Sequence, residues 1–370
     1  MKKIEAFTKT QLFKQLCITI AVLILAYGSF LRIQNFSETG KDYKTFIDAI
    51  NNFLAHGNLY QHTIESYKNV ADVGGHGYAY FPGFLYVFTF LYALAPAIHV
   101  PYNVLWKVPV LLCDLGVAII LFKQLSKRNA LAGLFALAAW IYNPYMAARS
   151  GYSLLDPVPV FFILLSLLYL EKDDVLAGSF YTLSVIFKPM ALIFLPLFLI
   201  KSKRWYMFVA ACAIIFTVVS LPFILGVKEI TTYLNGTILV HTTRVIEGRP
   251  FLFYLSYYYK IELFQIIPLS VYNNLAAFFG WVLILIGYFL FKIRNKYILA
   301  SFSALNFLVF TPVLNRSYVT WFVPIFLLAS FEIAQKYKKQ ILYYLPNIIF
   351  WAFWIWYLRQ WEDGFQVWHP

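Results

Sequence analysis

WKVPVLLCDLGVAIILFKQLSKR, residues 106–128, joins a long apolar run to a turn rich in basic residues. The run has roughly the 20 residues with which an α-helix crosses the hydrocarbon core of a bilayer. Similar runs recur along all 370 residues, of which 61% are hydrophobic and 13% charged. Soluble domains average about 25% charged residues. The composition therefore predicts an all-α polytopic membrane protein and excludes a soluble globular class.

The distribution of charge predicts how the chain threads the bilayer. The 30 basic and 17 acidic residues give a net charge of +13, and much of the excess lies in short loops. Short loops rich in Lys and Arg stay on the cytoplasmic side of a membrane, so we attribute the excess of basic residues to membrane topology. We expect membrane lipids as partners and no nucleic-acid binding. The segments assigned to the cytoplasm, including the N-terminus, are 2–14, 123–128, 201–204, 292–296 and 336–339.

These assignments require one apolar run not to cross. The first span, about 12–31, leaves the cytoplasm, and two runs, about 80–98 and 104–122, precede the basic turn at 123–128. Only one of them can cross if that turn is cytoplasmic. We assign the crossing to 104–122 and place 80–98, which is rich in Phe and Tyr, at the outer surface as an interfacial segment.

A second irregularity lies between the loops at 171–174 and 201–204. The apolar run between them must leave the cytoplasm and return, yet each arm has only about a dozen residues, too few to cross. We therefore predict two short helices broken at Lys188–Pro189. The whole chain is predicted to contain about 11 transmembrane or half-membrane helices.

The first outer loop, 32–103, opens with an amphipathic stretch, GKDYKTFIDAINNFLAHGNLY (40–60). Its apolar side is predicted to consist of Tyr43, Phe46, Ile47, Ile50, Phe53 and Leu54. Asp42 falls at the predicted N-cap and Gly57 just past the predicted end of the helix. A helix cap and a catalytic base remain alternative roles for the Asp42 carboxylate.

Several motifs, in this order, resemble the GT-C superfamily of polytopic glycosyltransferases, which use polyprenyl-phosphate sugars. The first outer loop carries DYKTFIDAINNFLAHGNLY (42–60) and HGYAYFPGFLYVF (76–88), and WKVPVLLCDLGVAIILFKQL (106–125) resembles the second span of mannosyltransferases acting on glycosylphosphatidylinositol precursors. WIYNPYMAARSGYSLLDPVPVFFILLSLLYL (140–170) and FKPMALIFLPLFL (187–199) continue the resemblance. The resemblance covers roughly residues 38–200. On this basis we divide the chain into a module 1–225, which resembles the family, and a variable module 226–370.

The resemblance implies a fold, a reaction and a base. It implies that an acidic residue of the first outer loop, here Asp42, removes a proton from the acceptor hydroxyl, and that a surface or re-entrant helix follows that loop. The donor would be a polyprenyl-monophosphate sugar, with mannose as the expected sugar, and the acceptor a lipid-linked or glycolipid molecule. The chain has a lone Asp42 where many members have a D-x-D pair, so we expect no cofactor and leave a divalent metal as the alternative.

Cations on the outer face are the candidates for holding the phosphate leaving group. They are Lys188, Arg244, Arg249 and Arg316. Lys188 is the most informative, because a Lys among apolar residues is costly unless it is paired or lines a wet cavity. Snorkelling to headgroups is its alternative role, and an ordinary solvated loop is the alternative for 241–249.

Other polar residues have candidate supporting roles. Asp156 either positions substrate or caps the following span, and His241, His76 and Tyr80 are candidates to contact substrate. Asp114 lies in mid-span, two turns from Lys107 on the same helix face, and we expect a structural contact there.

Two other classes of function remain open. A transporter or lipid flippase would predict inverted repeats and ionisable residues at mid-depth. A non-catalytic subunit could retain the same fold, with Asp42 surviving as a cap. Whether the chain is an enzyme or a non-catalytic subunit, a small membrane protein is a further expected partner.

Overall fold

The structure is a computed structural model. The residues it describes are 11–34, 36–68, 77–143, 145, 155–243, 247–248, 250–251, 269–311, 313–315 and 317–362.

Helices form most of the described chain. In the first module they are α1 Gln11–Ile33, α2 Lys41–Leu54, α3 Leu59–Lys68, α4 Gly83–Leu94, α5 Tyr102–Leu105, α6 Val108–Ser126, α7 Ala130–Ile141, α8 Pro157–Tyr169, α9 Asp174–Phe187, a 3-10 helix Pro189–Phe194, α10 Leu195–Lys201, α11 Trp205–Ser220 and a 3-10 helix Leu221–Phe223.

The second module continues the helical pattern. Its elements are α12 Val227–Thr237, a 3-10 helix Leu239–Thr243, β1 Glu247–Gly248, α13 Leu269–Phe289, α14 Lys296–Phe310, β2 Val313–Leu314, a 3-10 helix Tyr318–Phe322, α15 Val323–Tyr337 and α16 Ile341–Glu362. The two strands pair in parallel, with Glu247 opposite Val313 and Gly248 opposite Leu314.

Five helical segments of the described chain are long and apolar enough to cross a membrane. They are Gln11–Ile33, Tyr102–Ser126, Trp205–Phe223, Tyr318–Tyr337 and Ile341–Arg359. Other apolar helices, among them α4, α7, α8 and α9, have only 10–17 residues. The class of all-α membrane protein is confirmed at this level, whereas the total of 11 crossings stays a prediction.

The predicted break at Lys188–Pro189 is confirmed. Helix α9 ends at Phe187, Lys188 is extended (φ −156°, ψ 126°), and a 3-10 helix begins at Pro189. Proline lacks the N–H that would continue the hydrogen-bond ladder and disfavours a helical conformation for the residue before it. The local sequence alone therefore places Lys188 between two short helices.

The predicted cytoplasmic loops contact one another. Arg128 pairs with Glu332 at 2.6 Å, and Lys201 and Lys296 both pair with Glu171. Lys201 also donates to the carbonyl of Arg294 at 2.9 Å. The first contact joins the turn at Arg128 to the last turns of α15, and the others join the turns at Glu171, Lys201 and Lys296, as expected if these turns share one side of a membrane.

The amphipathic stretch forms α2, and its burial follows the predicted sides with one exception. Phe46 and Ile50 are buried, Tyr43 and Phe53 are half-buried, and Leu54 is exposed. The Phe46 ring contacts an aromatic cluster beneath it, comprising Tyr78, Tyr80, Phe84, Phe88 and Trp106. Packing against α4 therefore holds α2 on the bundle.

A close approach of α4 to α9 brings the first outer loop towards Lys188. A Cβ at Gly83 would lie 2.9 Å from the carbonyl oxygen of Ile186, which no side chain tolerates. Glycine at position 83 thus permits the start of α4 to pack against the end of α9. Tyr80 and Lys188 both lie a few residues from this contact.

Candidate functional site

A polar cluster of Asp156, Lys188 and Trp321 lies at the ends of α8 and α9 that are farther from the turn at Glu171. The Lys188 ammonium donates to Asp156 Oδ1 at 2.5 Å, and the Trp321 indole N–H donates to the same oxygen at 2.5 Å. Asp156 precedes α8, Lys188 lies in the break after α9, and Trp321 belongs to the 3-10 helix before α15. Three helix ends therefore meet at one carboxylate oxygen.

Three aromatic rings surround the Lys188 ammonium. Its nitrogen lies 4.7 Å from the ring centroid of Trp321, 5.4 Å from that of Tyr318 and 5.8 Å from that of Tyr80. Tyr318 stacks on Trp321 with 4.0 Å between centroids, so both present neighbouring surfaces to the cation. Ring quadrupoles attract a cation at these distances. The arrangement holds a charged nitrogen in an aromatic cage that one side chain of the first outer loop completes.

Hydrogen bonds fix the segment that carries Tyr80. The Tyr60 hydroxyl donates to the Tyr80 carbonyl at 3.1 Å, and the Thr63 hydroxyl donates to the Tyr78 carbonyl at 3.0 Å. A ring nitrogen of His241 lies 2.8 Å from the carbonyl oxygen of Ala79. Burial raises the pKa of the Tyr60 phenol well above its ordinary value, so the hydroxyl stays protonated as a donor. The cage is therefore anchored to α3 and to the loop after α12.

A second buried carboxylate, Asp114, lies elsewhere in the bundle and has a different cation. The Arg32 guanidinium Nε donates to Asp114 Oδ2, and the Trp140 indole donates to Asp114 Oδ1 at 2.7 Å. The expected buried polar contact of Asp114 is confirmed, but its cation is Arg32 and not Lys107. The Lys107 ammonium donates to the backbone carbonyls of Phe36, at 2.7 Å, and Glu38, which lie beyond the end of α1.

Asp42 is not the N-cap of its helix. The cap residue is Gly40, with extended backbone and no side-chain cap hydrogen bond, and Asp42 is the second residue of α2. Glycine is tolerated at an N-cap, so the helix starts two residues earlier than predicted. The side chain of Asp42 lies outside the described residues. Asp48, on the same helix, pairs with Lys44 at 2.7 Å on the exposed surface.

Asp156 immediately precedes α8 but does not cap it through its side chain. Its carboxylate bonds to Lys188 and Trp321 instead, so the capping alternative is wrong. Of the predicted site residues, the structure brings Asp156, Lys188 and Tyr80 together, with His241 bonded beside Tyr80.

The remaining predicted residues, His76, Arg244, Arg249 and Arg316, lie outside the described residues. The backbone next to three of them is described: β1 lies between Arg244 and Arg249 in sequence, and β2 ends two positions before Arg316. The parallel pairing of β1 with β2 brings these two loops together, although more than 60 positions separate Glu247 from its partner Val313.

Trp321 and Tyr318 are the site residues that sequence reasoning missed. In the stretch NRSYVTW (315–321) the sequence singles out only Arg316, since aromatic residues near the end of a span are typical of the interfacial belt and do not by themselves indicate a site. A spacing of three positions does place Tyr318 and Trp321 on one side of a 3-10 helix. No local signal says that this side faces Lys188.

Within the described ranges, no group of three His, Cys, Asp or Glu side chains could hold a metal ion. Metal dependence stays open as a prediction. The chain matches no protein-family profile and no curated protein sequence.

Proposed function

We propose that this protein is a membrane glycosyltransferase that moves a sugar, with mannose as the expected one, from a polyprenyl monophosphate to a lipid-linked or glycolipid acceptor. The observation that carries the proposal is the Lys188 ammonium, held by Asp156 and enclosed by Tyr80, Tyr318 and Trp321. A cation beside aromatic faces suits a sugar phosphate, because the cation attracts the phosphate and aromatic rings pack against the apolar side of a sugar ring.

In the proposed reaction, a base removes the proton of the acceptor hydroxyl while the acceptor oxygen attacks the anomeric carbon. The bond from that carbon to the phosphate oxygen breaks, the phosphate leaves with the electron pair, and the configuration inverts. Lys188 stabilises the negative charge that the phosphate oxygen gains. Arg244, Arg249 and Arg316 are the further proposed cations, from the loops that adjoin β1 and β2.

Asp42 remains the proposed base, and the geometry of Asp156 is one reason. Oxygen Oδ1 of Asp156 accepts one hydrogen bond from Lys188 and one from Trp321, so this carboxylate already holds the lysine ammonium in place. We therefore assign Asp156 to orienting the ammonium. Asp48 is a weak base candidate, since its carboxylate pairs with Lys44 on the exposed surface of α2.

The topology that accompanies this proposal has the N-terminus in the cytoplasm, about 11 crossing or half-crossing helices, and the site on the extracytoplasmic face. The Lys188 cluster lies at the ends of α8 and α9 remote from the turn at Glu171, which pairs with Lys201 and Lys296, so the positive-inside rule supports a site on the extracytoplasmic face. Cysteines placed at Lys127 and Ile98 should label from opposite sides of sealed vesicles. Labelling from the same side would contradict this orientation.

The proposed activity is tested with the purified protein in lipid nanodiscs. It is incubated with a panel of polyprenyl-phosphate sugars and membrane lipids, and the products are identified by mass spectrometry. We expect one acceptor lipid to gain a single hexose, with loss of the sugar from its polyprenyl carrier. The Asp42→Asn variant is the matched control. Failure of every donor to react, while one still binds in a Lys188-dependent way, would favour a non-catalytic subunit.

A further inference from the structure

Helix α12, Val227–Thr237, carries a buried side that packs on the first outer loop. The Tyr233 ring stacks on Phe223 and meets Tyr60 edge-on at 5.0 Å, and its hydroxyl lies 2.6 Å from the Ser220 hydroxyl. A Cβ at Gly236 would lie 2.9 Å from the Tyr60 Cβ. Helix α12 is thereby fixed against α3.

A second side of α12 is apolar yet exposed. Val227, Ile230 and Leu234 are spaced by three and four positions, which places them in one stripe, and they are 83%, 40% and 38% exposed. A third side is polar and carries Lys228, Thr232 and Asn235. Around the helix the order is a buried side, the exposed apolar stripe, then the polar side. This is the order expected at a boundary among protein, lipid and water.

The exposed stripe follows closely, along the chain, on an exposed apolar surface of the preceding candidate span. Ile214, Val218 and Leu221 of the segment Trp205–Phe223 are spaced by four and three positions and are all exposed. Only residues 224–226 separate this segment from α12. Four Cα-to-Cα steps reach at most about 14 Å. Helix α12 therefore begins at or near the headgroup layer, which is roughly 5–8 Å thick on each side of the hydrocarbon core.

We infer that α12 is an interfacial helix whose stripe of Val227, Ile230 and Leu234 is inserted among the phospholipids of the leaflet at this end of the bundle. Apolar side chains facing the boundary between acyl chains and headgroups, with polar residues beside them, are typical of such helices. The chain continues from α12 to His241, which bonds beside Tyr80 of the aromatic cage. Lipid contact would therefore set the height of the Lys188 site at the membrane surface. The inference does not rest on the proposed reaction.

The test uses nitroxide labels on the full chain in phosphatidylcholine nanodiscs. Cys17, Cys113 and Cys212 are first replaced by alanine. Single cysteines are then introduced as Val227→Cys, Lys228→Cys, Leu234→Cys and Asn235→Cys. Val227 and Lys228 are adjacent in sequence, and so are Leu234 and Asn235. The two side chains of each pair therefore lie at nearly the same position along the helix axis and point about 100° apart. Relaxation by oxygen, which partitions into lipid, is compared with relaxation by a water-soluble nickel chelate.

We expect the oxygen-to-nickel relaxation ratio to be several-fold higher at Val227 and Leu234 than at Lys228 and Asn235. Equal access of nickel at all four positions would overturn the inference by placing the stripe in water. Shielding of Val227 and Leu234 from both reagents would overturn it in favour of a protein cover, from this chain or a second copy. Ile230→Cys replaces any stripe position whose labelled variant does not remain monodisperse, so the comparison can always be made.

Discussion

Two ion pairs of this protein are built from the same kinds of group but differ in their exposure to solvent. Arg32–Asp114 and Lys188–Asp156 each join one carboxylate to one cation and one tryptophan indole. The Arg32 and Asp114 side chains are 1% and 2% exposed, whereas Lys188 is 13% exposed beside an Asp156 that is 4% exposed. The first pair is closed off, whereas part of the Lys188 side chain in the second pair is exposed.

The surroundings of each cation explain the difference. Arg32 also donates to the carbonyls of Gly28, at 3.1 Å, and Ile141, at 3.0 Å, so every guanidinium nitrogen has a protein acceptor. Helices α1 and α7 approach closely here, since a Cβ at Gly28 would lie 2.3 Å from the Ile141 side chain. Lys188 instead lies in a break between helices, with three aromatic rings around its ammonium. The first pair therefore lies wholly inside the bundle, and the second lies at a helix break where part of the lysine side chain is exposed.

The largest expected effect is the loss of stability when the closed pair is broken. Arg32→Met leaves the Asp114 carboxylate buried without its cation, and we expect the free energy of unfolding to fall by about 3–5 kcal/mol. Denaturant titration in mixed micelles measures it. The double variant Arg32→Met/Asp114→Leu should recover much of the loss, because no buried charge remains. A parent-like unfolding curve for Arg32→Met would mean that the pair does not lock the bundle.

The second prediction asks whether a carboxylate outside both pairs is the base. Asp42→Asn removes the lone pair that accepts a proton, so we expect turnover to fall on the order of 10²–10⁴-fold with unchanged donor affinity. Because Gly40 is the cap, the melting temperature should change little. Asp48→Asn is the matched control on the same helix and should keep parent turnover. Full activity in Asp42→Asn would exclude Asp42 as the base.

The third prediction concerns the open pair. Lys188→Met removes a charge-assisted contact worth about 1.5–3 kcal/mol, so donor affinity should weaken roughly 10–100-fold. Isothermal titration with the polyprenyl-phosphate sugar measures it, and Lys188→Arg should restore only part of the loss, since the fork does not fit a cage shaped for an ammonium. Unchanged affinity, together with a stability loss as large as that of Arg32→Met, would make both pairs structural.

The smallest expected effect separates the two tryptophans. Trp321→Phe keeps an aromatic ring beside Lys188 but removes the N–H bond to the Asp156 carboxylate, and so reaches the donor only through the position of the ammonium. Donor affinity should weaken a few-fold. Trp140→Phe makes the same change at Asp114 and should lower the melting temperature without altering donor affinity. If Trp140→Phe weakened donor binding as much as Trp321→Phe does, the contrast between the pairs would fail.

Local properties of the chain account for what could be predicted. The positions of the apolar helices follow from runs of apolar residues, and the break at Lys188 follows from Pro189, whose ring prevents the helix from continuing. The starts of helices were less predictable. Asp42 was expected at an N-cap because Asp is favoured there, but Gly40 fills that position, and packing of α2 on α4 outweighs the modest preference of one cap residue.

The sequence by itself determined the class of protein, the placement of its helices and the presence of a lysine among apolar residues, because hydropathy, chain length and proline act within a few positions. Only the tertiary structure decided which charges meet. Asp156 bonds to a tryptophan 165 positions away, and Asp114 to an arginine 82 positions away rather than to Lys107 on its own helix. Helical spacing gives the side on which a residue lies, whereas its partner depends on how helices distant in sequence pack and which donors they bring within reach.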